Sequence, residues 1–292
     1  MATSKGIAVC IGLNAVDPKH YQGWSGDLAA CEADASDMAD IARSAGFAKP
    51  DVYLTKAATR EKVRGAITRA ATAANANDIV LLTYSGHGGQ LPDRNGDEPD
   101  DKDETWCLYD GELVDDELFE LFTKFRAGVR ILVLSDSCHS GTMTRDVVRD
   151  AALNSGTLRA AVRGAPPAVD PLAPRYRAMP DEVALATYRA NRAMYDRLLT
   201  KTPSESTSLD KLKARVRLIS GCQDNQLSQD GTFNGLFTGT MLKVWNHGKF
   251  QGDYASFHKE IVKRMPREQT PNHFLIGPTN PTYDRQRPFT VK

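Results

Sequence analysis

The stretch Ile131-Leu132-Val133-Leu134-Ser135-Asp136-Ser137-Cys138-His139-Ser140-Gly141 constrains this chain more than any other. Four consecutive apolar residues run into a cluster of small polar ones that holds a thiol. A continuous apolar run bounded in this way reads as a strand buried on both faces. Such strands belong to sheets covered by helices on both sides, and ligands gather at the carboxyl ends of their strands. Cys138 is therefore predicted at the mouth of a crevice, where a nucleophile can work. A second run, Asp78–Tyr84, has the same character and ends in Ser85-Gly86-His87-Gly88-Gly89.

The elements around these runs alternate. Lys5–Asn14 reads as a first strand and Asp27–Ala45 as a helix ending at Gly46. Asp51–Thr55 reads as a strand, Thr59–Ala74 as an Ala-rich helix, and Asp115–Phe125 as a further helix. Alternation of this kind predicts an α/β fold with a mostly parallel central sheet flanked by helices. Leu91–Glu104 is an acidic loop, followed by a short segment, Trp106–Tyr109. Thr142–Pro180 is rich in Ala, Arg, Pro and Gly with little periodicity, and reads as a long, mobile connection. Helical spacing returns over Asp181–Lys201. Val216–Ser220 and Asn272–Ile276 read as strands, and Gly235–Trp245 and Tyr254–Arg264 as helices. The expected organisation is a large segment, 1–142, an Arg-rich linker with a helical part, 143–214, and a small segment, 215–292, that completes the same sheet.

Composition excludes several functions. With 37 basic and 37 acidic residues in 292, no net field recommends a nucleic acid or a membrane as partner. No apolar run approaches the roughly 18 residues of a membrane helix. The beginning of the chain lacks the pattern of a signal peptide, and no Pro-rich or zinc-binding extension precedes Lys5. The five cysteines are scattered without metal-ligand spacing, which favours free thiols and a cytoplasmic location. Cys10 and Cys107 read as packed core thiols, and Cys222 as a residue able to line the crevice without a catalytic role.

A thiol titrates near ~8.5 and needs a basic neighbour to act as a nucleophile at neutral pH. Among six histidines, His87 stands at the matching end of the second buried strand, among glycines that allow close backbone approach. If the two strands are neighbours, His87 and Cys138 face one crevice, and the N–H groups of Gly88 and Cys138 can form an oxyanion hole. His139 is the poorer base, since adjacent residues leaving a strand point to opposite sides.

Tyr84-Ser85-Gly86-His87-Gly88-Gly89-Gln90 and Asp136-Ser137-Cys138-His139-Ser140-Gly141 resemble the two catalytic signatures of the caspase-like cysteine peptidases, in particular the metacaspase and bacterial orthocaspase branch. Leu218–Gln226 resembles the start of that family's small-subunit segment. The resemblance implies a caspase-like α/β sandwich, with His87 as general base and acid and Cys138 as nucleophile.

Alternation puts Asp136 on the same side of its strand as Cys138, with Ser85 in the equivalent place before His87. Cys31 and Asp34 resemble the family's remaining specificity-pocket residues. A pocket holding Asp34 and Asp136 attracts a cation and repels an acidic side chain. The expected activity is an endopeptidase acting on peptides or proteins after Arg or Lys, by a chain that is a monomer. The resemblance further implies an activating Ca²⁺ held by Asp103, Asp115, Asp116 and a fourth aspartate. Matching spacing lands on Arg145, so Asp146 fits with a one-residue insertion. An EF-hand is excluded because the glycine of the acidic loop, Gly96, falls at the fourth position of that motif instead of the sixth. For an Arg-specific enzyme, Arg145, Arg149, Arg159, Arg163, Arg175 and Arg177 are candidate self-cleavage sites. The alternative is a caspase-like pseudoenzyme or regulatory interaction module, against which the intact His/Cys pair argues.

Overall fold

The computed structural model describes residues 4–93, 102–137, 175–222, 226 and 228–292, with backbone alone for 205 and 206. Cys138, Arg145, Asp146, Arg149, Arg159 and Arg163 lie outside the described residues.

Six strands form the central sheet: β1 (Gly6–Gly12), β2 (Asp51–Leu54), β3 (Ile79–Ser85), β7 (Arg130–Asp136), β8 (Arg215–Ser220) and β9 (Asn272–Ile276), in the order β2-β1-β3-β7-β8-β9. All neighbours are parallel except β8 and β9. The two apolar runs of the sequence, β3 and β7, are buried along their whole length and lie side by side, Ile79 opposite Arg130 through to Ser85 opposite Asp136. The condition for His87 and the Asp136 end of β7 to share one crevice is met.

Alternation along the strands divides the core in two. Val9, Ile11, Val80, Leu82, Ile131 and Val133 pack on α2 (Arg60–Ala73) and α3 (Asp115–Thr123). Ala8, Cys10, Ile79, Leu81, Leu132 and Leu134 pack on α1 (Cys31–Ser44), α7 (Leu236–Trp245) and α8 (Tyr254–Val262). Helices on both faces are why the central strands carry no polar face. Thr59 caps α2 by accepting from the Lys62 N–H, and Asp253 caps α8 by accepting from Ser256.

Three expectations need correction. The acidic stretch 91–104 is not simply a loop. Strands β4 (Gly88–Pro92), β5 (Lys102–Leu108) and β6 (Gly111–Val114) form a separate antiparallel sheet, Gly88 opposite Trp106 and Thr105 opposite Val114. The glycines and acids that depress β-propensity are overridden by burial, for β4 is buried from Gly88 to Leu91. The helix of 181–201 is two, α4 (Asp181–Ala190) and α5 (Arg192–Lys201), broken at Asn191, whose φ of −109° and ψ of 20° leave the helical region. A further short helix, α6, spans Glu205–Lys211, and the chain closes with α9 (Pro281–Asp284). The mobile connection expected up to Pro180 does not hold for its last residues. Arg177 and Met179 are buried, because their side chains and backbone find partners across the crevice.

Candidate functional site

The crevice is built at the carboxyl ends of β3 and β7. Ser85 and Asp136, opposite one another in register, form its floor, and α1 supplies Asp34 from the side. The approach of α1 depends on Gly12 at the end of β1, where an added Cβ would stand 2.1 Å from the Cys31 carbonyl oxygen. Any side chain there would push Cys31 and Asp34 away. The four residues predicted for the specificity pocket are thus brought together and all are buried.

The two carboxylates are held by hydrogen bonds at the start of α7. Asp34 accepts from Ser85 Oγ at 2.7 Å, Asn234 Nδ2 at 2.9 Å and the Gly235 N–H at 3.1 Å. Asp136 accepts from Ser228 Oγ at 2.6 Å and from the Thr238 N–H and Oγ1 at 3.1 and 2.7 Å. Negative charge at a helix N-terminus is stabilised by the exposed N–H groups and the helix dipole. Cys31 lies beside them with its thiol pushed up to about 12, chiefly by burial. It lines the pocket without being reactive.

The pocket is filled by Arg177, whose relative exposure is 0%. One terminal nitrogen donates to Ser85 Oγ at 2.8 Å and to the Asp136 carbonyl at 3.1 Å, and pairs with Asp136 Oδ2 at 2.9 Å. The other reaches Asp34 Oδ2 at 2.8 Å and Asp230 Oδ1 at 2.9 Å. Burial lowers the pKa of this guanidinium, but the charges of Asp136, Cys31, Asp34 and Asp230 outweigh it and leave the pKa well above the usual value. For Asp34 burial pushes the carboxyl upward, and Arg177 is the largest influence pulling it back. The space left beside Asp34, Ser85 and Asp136 is about 10 Å³, room for one water at most.

Asp230 was missed in the sequence. It stands ten residues beyond the end of β8, outside both signature motifs, and the only signal was an acid following a strand end. It is fixed from the other side by the Ala29 N–H, 2.7 Å from Oδ2.

His87 lies just beyond β3 and is nearly enclosed. Its ring packs on Trp24 with centroids 4.7 Å apart, and Nε2 lies 3.0 Å from the Gly26 carbonyl oxygen. A carbonyl can only accept, so the neutral ring carries its proton on Nε2 and a lone pair on Nδ1. Nδ1 has no hydrogen-bond partner among the described residues. Gly26 can offer its carbonyl because its φ is +56°, a conformation glycine adopts without strain. The ring pKa is lowered to about 4, first by burial, with the Arg177 charge in the same direction and the Gly26 carbonyl opposing both. Gly88, the predicted oxyanion donor, directs its N–H at the Arg177 carbonyl, 2.9 Å away.

This arrangement has known relatives. The caspase-domain model of peptidase family C14 matches residues 5–288. The chain belongs to that family. Metacaspase-1A of Aspergillus fumigatus is 31% identical over 269 residues, which are 82% of this chain and 60% of that protein. Metacaspase-1 of Schizosaccharomyces pombe is 30% identical over 275 residues, 86% of this chain and 61% of that one. The chain therefore spans about three-fifths of the curated relatives it matches. Among solved structures, protein GSU0716 of Geobacter sulfurreducens is 57% identical over 99% of both chains, with a TM-score of 0.84. The fold is the caspase-like α/β sandwich.

The other predicted members of this caspase-domain site are scattered. Arg175 lies in the segment that crosses the crevice, and its carbonyl accepts from the Asp230 N–H at 2.8 Å. Asp115 and Asp116 open α3, and Asp103 is on β5 nearby. The Asp115 carboxyl is pushed well above the ordinary range by burial first, then by the charges of Glu104, Asp103 and Asp116. Among the described residues no three His, Cys, Asp or Glu groups close on a point as metal ligands do. Cys10 and Cys107 are core thiols, the first pushed up to about 12 by burial and the second well above its usual value. Cys222 is buried beneath the crevice and donates to the Ser137 carbonyl, bracing the backbone that leads to Cys138. Among the described residues no helix is long and apolar enough to cross a membrane.

Proposed function

We propose that this chain is a cysteine endopeptidase that cleaves peptide bonds after arginine, and after lysine less readily. The observation that carries the reading is the Arg177 guanidinium enclosed by Asp34, Ser85 and Asp136. Buried carboxylates that already hold one guanidinium by planar, forked hydrogen bonds will hold a substrate's in the same way. An acidic residue there would face three carboxylates in a desolvated site, a cost of several kcal/mol by the usual penalty for unpaired buried charge.

In this mechanism the Nδ1 lone pair of His87 takes the Cys138 proton, and the sulfur attacks the carbonyl carbon of the arginine. The oxyanion is held by the N–H groups of Gly88 and Cys138. Collapse breaks the C–N bond, and His87 returns the proton to the leaving amine. Water, activated by the same ring, then hydrolyses the thioester. The Gly26 carbonyl keeps the ring in the required tautomer throughout, acting as a positioning group.

Calcium belongs to the proposal through Asp103, Asp115 and Asp116, with Asp146 as fourth ligand. Carboxylate oxygens suit a hard cation. Burial first, and then the charges of Glu104, Asp103 and Asp116, raise the Asp115 carboxyl, and a divalent ion would favour its charged form. The ion would supply charge neutralisation beside the crevice.

The deciding experiment measures hydrolysis of short peptides ending in Arg, Lys or Asp at the reporter bond, with calcium or with excess chelator. Turnover of the Arg peptide first, the Lys peptide second and the Asp peptide not at all is expected, lost in Cys138→Ala and His87→Ala. Turnover of no basic peptide, by the parent chain or by Arg177→Gln with its pocket emptied, would move the protein to a binding or regulatory role. Full activity in chelator would remove calcium from the proposal.

A further inference from the structure

The connection between β1 and α1, residues 13–30, carries both groups that touch the His87 ring, Trp24 and the Gly26 carbonyl, and has no strand or helix of its own. It turns left-handed at Gln22, Gly23 and Gly26, with φ of +54°, +90° and +56°. At Gln22, which carries a side chain, that conformation is strained and persists only where the surroundings over-determine it.

The contacts that hold this loop lie on its far side. Tyr21 is fully buried, and its hydroxyl donates to the Leu108 carbonyl at 2.7 Å, while the Asp17 N–H donates to the Tyr109 carbonyl at 2.8 Å. His20 reaches the other way. Its Nε2 lies 2.7 Å from the Tyr195 hydroxyl on α5, and its carbonyl accepts from Asn191 Nδ2 at 3.2 Å. Asn191 and Tyr195 stand one turn apart, so the break between α4 and α5 brings two groups to His20 together. Gly111 leaves room for the imidazole, since an added Cβ there would crowd His20 Cε1 at 3.2 Å.

The rings form an unbroken row that ends on His87. Centroids are 5.9 Å apart for Tyr195 and His20, 4.9 Å for His20 and Tyr21, and 6.0 Å for Tyr21 and Trp24, all edge to face. Trp24 then meets His87 at 4.7 Å. Aromatic pairs at such distances attract beyond the area they bury, so a ring that moves draws its neighbour with it. At the other end the Tyr195 hydroxyl accepts from the Glu112 N–H at 3.2 Å, which ties the row to β6. A loop that only covered the core would do better with apolar side chains, because each buried hydroxyl must find a partner.

We propose that His20 and Tyr195 are positioning residues for the catalytic histidine: they fix the 13–30 loop to α5, so that Trp24 and the Gly26 carbonyl keep the His87 proton on Nε2 and leave the Nδ1 lone pair free. The inference rests on the peptidase reading given above. Neither residue touches substrate or reacting atoms, and α5 lies outside both signature motifs.

Two readouts test it. In the Cys138→Ala chain, nitrogen-15 NMR of the His87 ring reports which nitrogen carries the proton. The parent is expected to show Nε2–H alone, and His20→Ala and Tyr195→Phe a mixture of both tautomers. His20→Gln, whose amide is long enough to reach the Tyr195 hydroxyl, is expected to keep Nε2–H. Kinetics on an arginine peptide are run in the Arg177→Gln chain, with its pocket emptied. There kcat is expected to fall roughly ten- to a hundredfold in His20→Ala and Tyr195→Phe, the scale on which a misplaced catalytic group costs rate, with KM changed less than about twofold. His20→Gln should recover most of kcat.

If His20→Ala does not fold, Tyr195→Phe, which removes a single oxygen, decides. An unmoved tautomer in whichever of the two folds would overturn the proposal, as would a fall in kcat matched by an equal rise in KM. A His20→Gln chain as slow as His20→Ala would also overturn it. Turnover by no chain would overturn the peptidase reading, while the NMR still decides whether His20 and Tyr195 set the His87 tautomer.

Discussion

Asp230 grips the Arg177 guanidinium at 2.9 Å from outside both catalytic signatures, and its other oxygen is tied to the backbone of Ala29. It is a third carboxylate in a pocket that the motifs equip with two. It meets the guanidinium and the Ala29 backbone, so the proposed arginine preference gives it a part in recognition. In an Arg177→Gln chain, whose pocket is open, Asp230→Asn is expected to raise KM for arginine peptides about tenfold, in line with ~1.5–3 kcal/mol for a charge-assisted hydrogen bond. kcat should change less than threefold. Steady-state kinetics with an unchanged KM would remove Asp230 from substrate recognition.

The same pocket predicts how stability depends on pH. Burial pushes Asp34 above its ordinary value and Arg177 holds it down. Without the arginine its folded pKa rises further. A group whose pKa is higher in the folded than in the unfolded state contributes stability that is complete below the unfolded value, near ~3.9, and lost as pH rises through the folded value. Arg177→Gln in the Cys138→Ala background should therefore lose little stability at pH 4 and roughly 3–5 kcal/mol at neutral pH, the cost of a broken buried pair. Urea unfolding across that range checks it; a loss independent of pH would contradict the argument.

His87 carries the opposite sign. Its pKa is lowered to about 4, so its contribution is present above the unfolded value near 6.5 and is lost as pH falls through about 4. Since burial is the largest cause and the Arg177 charge adds to it, undocking residues 175–179 should restore the ring toward 6.5. In the Cys138→Ala chain an NMR titration of the His87 ring is expected to show a midpoint near 4, moving up by at least one unit in Arg177→Gln. An unmoved midpoint would mean that the segment does not enclose the ring.

Much of this site was legible in the sequence because it is local. The apolar runs of β3 and β7 define buried strands, and the residues just after each run must lie at the strand ends. The parallel register of Ser85 with Asp136 reflects two strands of equal character lying side by side. What could not be read was long-range. Nothing in Gly88–Pro92 announces a strand, since its pairing with Lys102–Leu108 and its burial come from tertiary packing. Asp230 and Ser228 enter through the loop after β8, and Gly26 contributes a carbonyl, which no residue type encodes. The burial of Arg177 was hidden for the same reason. A segment of Pro, Ala and Arg has no periodicity of its own, and its order comes from the acidic pocket and from the backbones of Gly88 and 228–230.

A fourth expectation concerns Glu112, a fully buried carboxyl on β6. Its Oε2 accepts from Thr105 Oγ1 at 2.6 Å, and Oε1 has no partner among the described residues. Burial raises its pKa from 4.5 to about 7, with the Thr105 and Tyr195 hydrogen bonds opposing. It sits beneath the docked segment, where an added Cβ on Gly89 would meet both Glu112 Oε2 at 2.8 Å and Met179 Cε at 2.5 Å. The sign is that of a raised group: stability is complete below 4.5 and is lost as pH climbs through about 7. Glu112→Gln keeps the shape and removes the ionisation. The variant should match the parent or fall slightly below it near pH 4.5, then become the more stable form as pH rises to between 7 and 8. The gap there is bounded by roughly 3 kcal/mol, from ~1.4 kcal/mol per pKa unit. Because the charge forms under Met179, the parent should also release residues 175–179 more readily at alkaline pH, binding agmatine more tightly at pH 9 than at pH 6 in the Cys138→Ala background. Glu112→Gln should flatten that difference. If the stabilities of parent and variant run parallel from pH 4 to 8, Glu112 titrates in the folded chain as it does in the unfolded one and the burial argument for it fails.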